Sequence, residues 1–286
     1  MSAERLQENL NRLMGELETM PSLGGTAGGI STCTNMASKM PLANSASRKS
    51  FAAICGSGSL LSKRQLAIPG NPVDPACAEA KLGTDDCVFL FVGPFRYLDT
   101  ECGFLFKAEL ADSRHDVATA TPFDSGGLLH HHAPLNDVSP EECFACHELP
   151  VPQYRTYHAL VLDRLFDDPW DYLDGIPSAS ANPIRLDRTG ADARSWTFEL
   201  RVRSHVPIRT HLQAVFISTS VISEVDAARP LPPTGVGIQH VGEMLEWCGD
   251  NNVDIEVYPA PTARDPDGFM AMQNKSVTYI RELIDA

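Results

Sequence analysis

Trp196-Thr-Phe-Glu-Leu-Arg-Val-Arg203 alternates without a break. Trp196, Phe198, Leu200 and Val202 fall on one side, and Thr197, Glu199, Arg201 and Arg203 on the other. A period of two predicts a β-strand with one apolar and one polar face. A second stretch, Cys87-Val-Phe-Leu-Phe-Val92, is apolar throughout and bounded by Asp85-Asp86 and Gly93-Pro94. That pattern predicts a strand covered on both faces. Further strands are predicted at 103–106, 212–218 and around 254–258. Between them lie helical patterns: 2–19 with Leu6, Leu10, Leu13 and Leu17 on one face, 157–166, 239–248 and 270–284. Residues 47–58 predict a short helix, capped by Ser47 and ended by Gly56 or Gly58. Residues 112–185 are otherwise irregular and helical by turns. Strands and helices mix without the regular alternation of a doubly wound parallel sheet, so the expected class is α+β.

The rest of the chain sets limits. Its 286 residues are 43% hydrophobic and 21% charged, an ordinary globular composition. No apolar run approaches the roughly 18 residues of a membrane span. Residues 1–20 carry charges throughout and lack the apolar core of a secretory signal, so a cytoplasmic protein with no membrane partner is expected. The eight cysteines are then expected to be reduced, and Cys87 behaves as a small hydrophobe within its strand. The net charge of −14 disfavours sequence-blind binding to a phosphate backbone. One local exception is the stretch holding Arg185, Arg188, Arg194, Arg201, Arg203 and Arg209. Taken alone, these arginines are expected at solvated strand edges and loop ends.

Residues 1–45 are expected to form an N-terminal helix followed by a Gly/Ser/Thr-rich linker over 23–32, and residues 46–286 a single domain. Within that domain two side chains stand out. A strand that delivers Arg96 just past its end places a planar guanidinium suited to a diphosphate. Glu199, on the polar face of its strand, is either a surface residue paired with Arg201 or Arg203 or a carboxylate turned toward substrate.

Three blocks choose between these readings. Ser50-Phe-Ala-Ala-Ile-Cys-Gly-Ser-Gly-Ser-Leu-Leu61, Asp86-Cys-Val-Phe-Leu-Phe-Val-Gly-Pro-Phe-Arg96 and Phe198-Glu-Leu-Arg-Val-Arg-Ser-His-Val-Pro-Ile208 occur in this order. The last is followed by Ala214-Val-Phe-Ile-Ser218. Together they resemble the DarT-type branch of ADP-ribosyltransferase toxins, which modify nucleic acid. The resemblance implies an ADP-ribosyltransferase-like core of mixed and antiparallel strands with surrounding helices. It implies NAD as co-substrate, nucleic acid as acceptor and a neutralising protein as a possible partner. Arg96 would contact NAD and Glu199 would be catalytic. The family places a histidine or similar polar residue ahead of the first of these helices to hold the nicotinamide amide. Here Thr34-Asn-Met-Ala-Ser-Lys-Met40 has no histidine, leaving Asn35 or Ser38 for that role. Within the same fold, Phe216-Ile-Ser-Thr-Ser220 resembles the Ser-Thr-Ser strand of the arginine/serine/glutamate class, and that assignment would make Glu256 catalytic. A protein acceptor is the nearest alternative to nucleic acid.

Other signals carry different chemistry. Cys143-Phe-Ala-Cys146-His147 has haem-attachment spacing and offers three metal ligands, with His130, His131 or His132 near enough in sequence to add a fourth. On that reading the chain is a metal-stabilised, non-enzymatic interaction protein. The bland reading is two thiols and a histidine in a loop. Phe123-Asp-Ser-Gly-Gly127 follows Thr121-Pro122 and is similar to the nucleophile loop of trypsin-like proteases, but it lacks the first glycine and the His/Asp context. Its alternative is a tight turn lining a nucleotide site. No P-loop or G-x-G-x-x-G after a strand is present.

Overall fold

The computed structural model describes residues 2–23, 29–68, 71–97, 101–113, 117–131, 138–151, 153–175, 194, 196–228, 236–259 and 266–286. In chain order come α1 (Ala3–Glu18), α2 (Gly29–Lys39), β1 (Leu42–Ala46), α3 (Arg48–Ser57), β2 (Ser59–Leu61), α4 (Lys63–Leu66) and α5 (Ala78–Lys81). They are followed by β3 (Cys87–Val92), β4 (Cys102–Phe106), α6 (Leu110–Ser113), β5 (Val117–Thr121), α7 (Ser125–His131) and α8 (Pro140–His147). Next are α9 (Tyr154–Leu165), α10 (Asp171–Asp174), β6 (Glu199–Arg203), β7 (His205–Pro207) and β8 (Leu212–Ser218). The chain ends with α11 (Thr219–Ala227), α12 (Val236–Asp250), β9 (Asp254–Tyr258) and α13 (Pro266–Asp285). The α+β class expected from the sequence is the class found. Among the described residues, no helix is long and apolar enough to cross a membrane.

The elements group into two compact units. The first comprises residues 1–40, 61–92 and 111–204, and the second 41–60, 93–110 and 205–286.

In the first unit the strands run in the order β5-β6-β3, and both pairings are antiparallel. β3 faces β6 in the register Cys87↔Arg203 to Phe91↔Glu199. Helix α9 is buried along most of its length and receives α1 and α2. Leu10, Leu13 and Leu17 form the inward stripe of α1, as their spacing predicts. The last four residues of the expected linker, from Gly29 to Thr32, are instead the first turn of α2. Cys33, Met36 and Ala37 bury one side of that helix, so packing on α9 outweighs its poor helix formers. Strand β5 lies in the stretch expected to be irregular. Val117-Ala-Thr-Ala-Thr121 has no large side chain to announce it, and it forms because β6 offers a ladder to pair with.

The end of the β3/β6 ladder is closed by a side chain. The Phe198 carbonyl accepts from Val92 N at 2.8 Å. The buried Tyr172 hydroxyl donates to the Val92 carbonyl at 2.8 Å and accepts from Phe198 N at 3.2 Å. Gly93 then turns the chain with φ of 109°, a backbone conformation that only glycine adopts without strain. Tyr172→Phe leaves two buried backbone groups without that partner. It is expected to lower stability by about 2 kcal/mol, read as a shift in denaturant midpoint at constant slope.

In the second unit the order is β1-β4-β8-β9, with β1, β4 and β8 antiparallel and β9 parallel to β8. Helix α3 begins at the Ser47 cap and ends at Gly58, whose φ is 72°. Its Phe51 stacks on Phe104 of β4 with ring centroids 4.6 Å apart. Gly103 lies under Phe95, and a Cβ there would come within 2.3 Å of the ring. Ser218, read from the sequence as the start of a strand-end serine run, is the last residue of β8, and α11 begins at the next residue, Thr219.

Candidate active site

The alternation of β6 holds, but its polar side is not a solvated face. Strand β5 pairs with it so that Thr121 lies opposite Glu199 and Thr119 opposite Arg201. Thr197, Glu199 and Arg201 are 0%, 2% and 1% exposed. The expectation that Arg201 sits at a solvated edge is therefore corrected: β5 covers it. Arg203, at the end of the strand, does reach solvent and pairs with Asp86 at 2.7 Å.

The turn between β5 and α7 covers Glu199. Ser125, the first residue of α7, donates its hydroxyl to Glu199 Oε1 at 2.6 Å, and its backbone N–H points at Oε2 at 3.4 Å. The turn is held by its own bonds. Thr121 Oγ1 donates to the Phe123 carbonyl at 3.0 Å, and Asp124 Oδ1 accepts from Gly127 N at 3.1 Å. The sequence pattern of this turn allows it to line a site, but nothing in it pairs Ser125 with Glu199. The partner of the Ser125 hydroxyl is a carboxylate and not a histidine, which removes the protease likeness.

Arg201 forms the floor. Its Nη1 is 3.4 Å from Glu199 Oε1 and its Nη2 is 3.4 Å from Glu148 Oε1. Thr119 Oγ1 accepts from Nη2 at 2.6 Å and from Nε at 3.2 Å, and Thr121 Oγ1 accepts from Nη1 at 3.2 Å. The guanidinium lies over the Phe144 ring, 4.6 Å from its centroid. Burial pushes Glu199 well above the usual carboxylate range, to about 8. Arg201 and the Ser125 bonds pull it back, while the nearby Asp124 carboxyl adds to the rise. A carboxylate poised in this way accepts a hydroxyl and exchanges a proton near neutral pH.

The other expected site residues are placed as follows. Arg96 belongs to the second unit, follows Phe95 beyond the end of β3, and is buried at 4% exposure. Asn35 and Ser38 belong to the first unit, on an exposed side of α2, where Ser38 Oγ donates to the Asn35 carbonyl at 2.7 Å. Among the described residues, the hydrogen bonds of Glu199 run to Ser125 and Arg201. Glu256, on β9, is partly exposed and pairs with Lys275 at 2.7 Å. Arg185 and Arg188 lie outside the described residues, as do His132 and the side chain of His131.

The Cys143-Cys146-His147 segment is helical, not a loop. His147 Nδ1 donates to the Cys143 carbonyl at 2.7 Å, one helical turn back, and burial holds the imidazole below its usual range. Burial also pushes the Cys143 thiol up to about 11. Among the described residues, no group of three or more His, Cys, Asp or Glu side chains could hold a metal ion.

No family model and no curated protein matches the chain. Among solved structures it is similar to Thermus sp. 2.9 DarT in complex with NAD+, at 9% identity and a TM-score of 0.41, over 77% of this chain and 95% of that one. It is also similar to the same DarT in complex with ADP-ribosylated ssDNA, at 10% identity and a TM-score of 0.41, over 77% and 94% of the two chains.

Proposed function

We propose that this chain transfers ADP-ribose from NAD+ to a macromolecular acceptor, with nucleic acid as the acceptor class, as a toxin or defence effector. The observation that carries the reading is a carboxylate, Glu199, that is 2% exposed and already accepts a hydroxyl at 2.6 Å. A ribose hydroxyl that replaces the one on Ser125 meets an acceptor whose position is set from below by Arg201. The three resembling blocks support the same assignment, since Glu199 and Arg96 fall at the family's catalytic and NAD-contacting positions.

When bound, NAD+ supplies the electrophilic ribosyl carbon and nicotinamide as the leaving group. Glu199 in its ionised form holds the ribose hydroxyl, offsets positive charge developing on the sugar, and accepts the proton of the attacking group. Arg96 is assigned the diphosphate, for which a planar fork of donors is suited. Asn35 or Ser38 is assigned the nicotinamide amide. Where the acceptor is a base, it must be single-stranded or unstacked to be reached.

The DarT complexes name the compounds to try first, NAD+ as donor and single-stranded DNA as acceptor. Purified protein is expected to release nicotinamide, and the oligonucleotide to gain the mass of one ADP-ribose. Absence of nicotinamide release with single-stranded DNA, RNA and protein acceptors alike would overturn the reading.

A further inference from the structure

Arg201 is held more firmly than a simple counter-ion needs. Three of its nitrogens are engaged by Thr119 and Thr121, and its flat face lies on Phe144. That leaves the guanidinium little freedom to follow either carboxylate. Its two carboxylate distances are equal, 3.4 Å to Glu199 and 3.4 Å to Glu148. Glu148 is itself fixed: its Oε1 accepts from Thr119 Oγ1 at 2.8 Å, and its backbone carbonyl accepts from Asn9 Nδ2 at 3.0 Å. Thr119 therefore links both ends, accepting from Arg201 and donating to Glu148.

We propose that Arg201 is the positioning residue for Glu199, and that Glu148 sets how much of the guanidinium's charge Glu199 receives. One buried cation between two carboxylates favours ionisation of both, while the negative charge of each works against ionisation of the other. Glu148 borders solvent at 9% exposure, whereas Glu199 is at 2%, so the deeper carboxylate depends more on the shared charge. Other titratable groups face this network. Asp124 in the turn before α7 raises Glu199. Cys87 on β3 senses Arg201, and its thiol is itself held up by burial and Asp86. His147, beside Glu148, is kept toward its neutral form by burial. None of these bridges the two glutamates as Arg201 does. Where it concerns catalysis, the proposal rests on the transferase reading above.

The arrangement makes two variants act in opposite directions. Glu148→Gln removes the second negative charge beside Arg201 and lowers the pH at which Glu199 ionises. Arg201→Met removes the cation and raises that pH, while Arg201→Lys restores part of the shift. Each displacement is expected to be about one pH unit or more, the size of a charge effect at this range. The titration of Glu199 is read in the full chain without NAD+, from the pH dependence of unfolding of each protein against its counterpart carrying Glu199→Gln. The acid limb of nicotinamide release is expected to move with it. Shifts in the same direction, or no shift in either variant, would overturn the proposal. If Arg201→Met does not fold, a Glu148→Gln midpoint that fails to fall overturns it alone. Opposite shifts in a protein that releases no nicotinamide would sink the transferase reading and leave the positioning role standing. Nicotinamide release with unmoved titrations would do the reverse.

Discussion

Glu199→Gln is expected to lower nicotinamide release at least ~100-fold, the lower end for loss of a positioned acid–base group, while the fold remains. The side chains have the same shape, and the glutamine oxygen still accepts from Ser125 Oγ and faces Arg201. What is lost is the ability to carry negative charge beside the sugar and to take a proton. The same variant changes stability in a direction that identifies its cause. Burial holds the folded-state pKa of Glu199 above its unfolded value, at about 8 against the ordinary 4.5. The native state therefore binds more protons than the unfolded chain between those values, and wild-type stability falls as pH rises through the window. Glutamine has no such slope. The two proteins should be equally stable near pH 4, and by pH 9 the variant should be more stable by a few kcal/mol. Parallel stability curves would show that Glu199 is not the buried acid described here. Activity that survives in Glu199→Gln and is lost in Glu256→Gln would move the catalytic assignment to β9.

The second large effect belongs to His158. Its imidazole is fully buried on α9, with ring centroids 4.6 Å from Tyr172 and 4.4 Å from Phe198. Among the described residues, neither ring nitrogen has a hydrogen-bonding partner. Burial depresses its folded-state pKa from 6.5 to about 3, and the nearby Arg155 charge adds to the effect. Here the unfolded chain binds the extra proton, so stability is present above pH 6.5 and is lost as pH falls toward 3. His158→Leu removes two unpaired buried nitrogens and the titration together. It is expected to raise stability by about 1–3 kcal/mol near neutral pH and to flatten the acid limb. A variant that unfolds at the same acid pH as wild type would disprove the assignment. Between pH 4.5 and 6.5 the two buried groups oppose each other, His158 making stability rise with pH and Glu199 making it fall. The single variants separate the two slopes that wild type conceals.

Where the side-chain pattern carried the information, the chain's organisation was legible. Cys87–Val92, Leu212–Ser218 and Asp254–Tyr258 are strands with the predicted bounds, since each is a local apolar or alternating run between breakers. The caps Ser47 and Gly58 mark α3 for an equally local reason. Strand β5 and the first turn of α2 were not legible. Small, polar residues take their conformation from what they pack on, and those partners are far away in sequence. The segment Cys143–His147 is a helix and not the expected loop: Ser139 and Pro140 give it a local start, and α1 packs against it.

The site divides along the same line. By itself the sequence determined that Glu199 and Arg201 share a face of one strand, because side chains alternate whatever the strand packs against. Only the tertiary structure decided that this face is dry. The covering groups come from distant parts of the chain: Ser125 is 74 residues from Glu199, and Thr119 is 82 from Arg201. Alternation is a property of neighbours, whereas desolvation is a property of whatever closes over them. A surface ion pair and a buried, proton-exchanging carboxylate can thus share one sequence pattern, and the cover of β5 and the Ser125 turn selects the second.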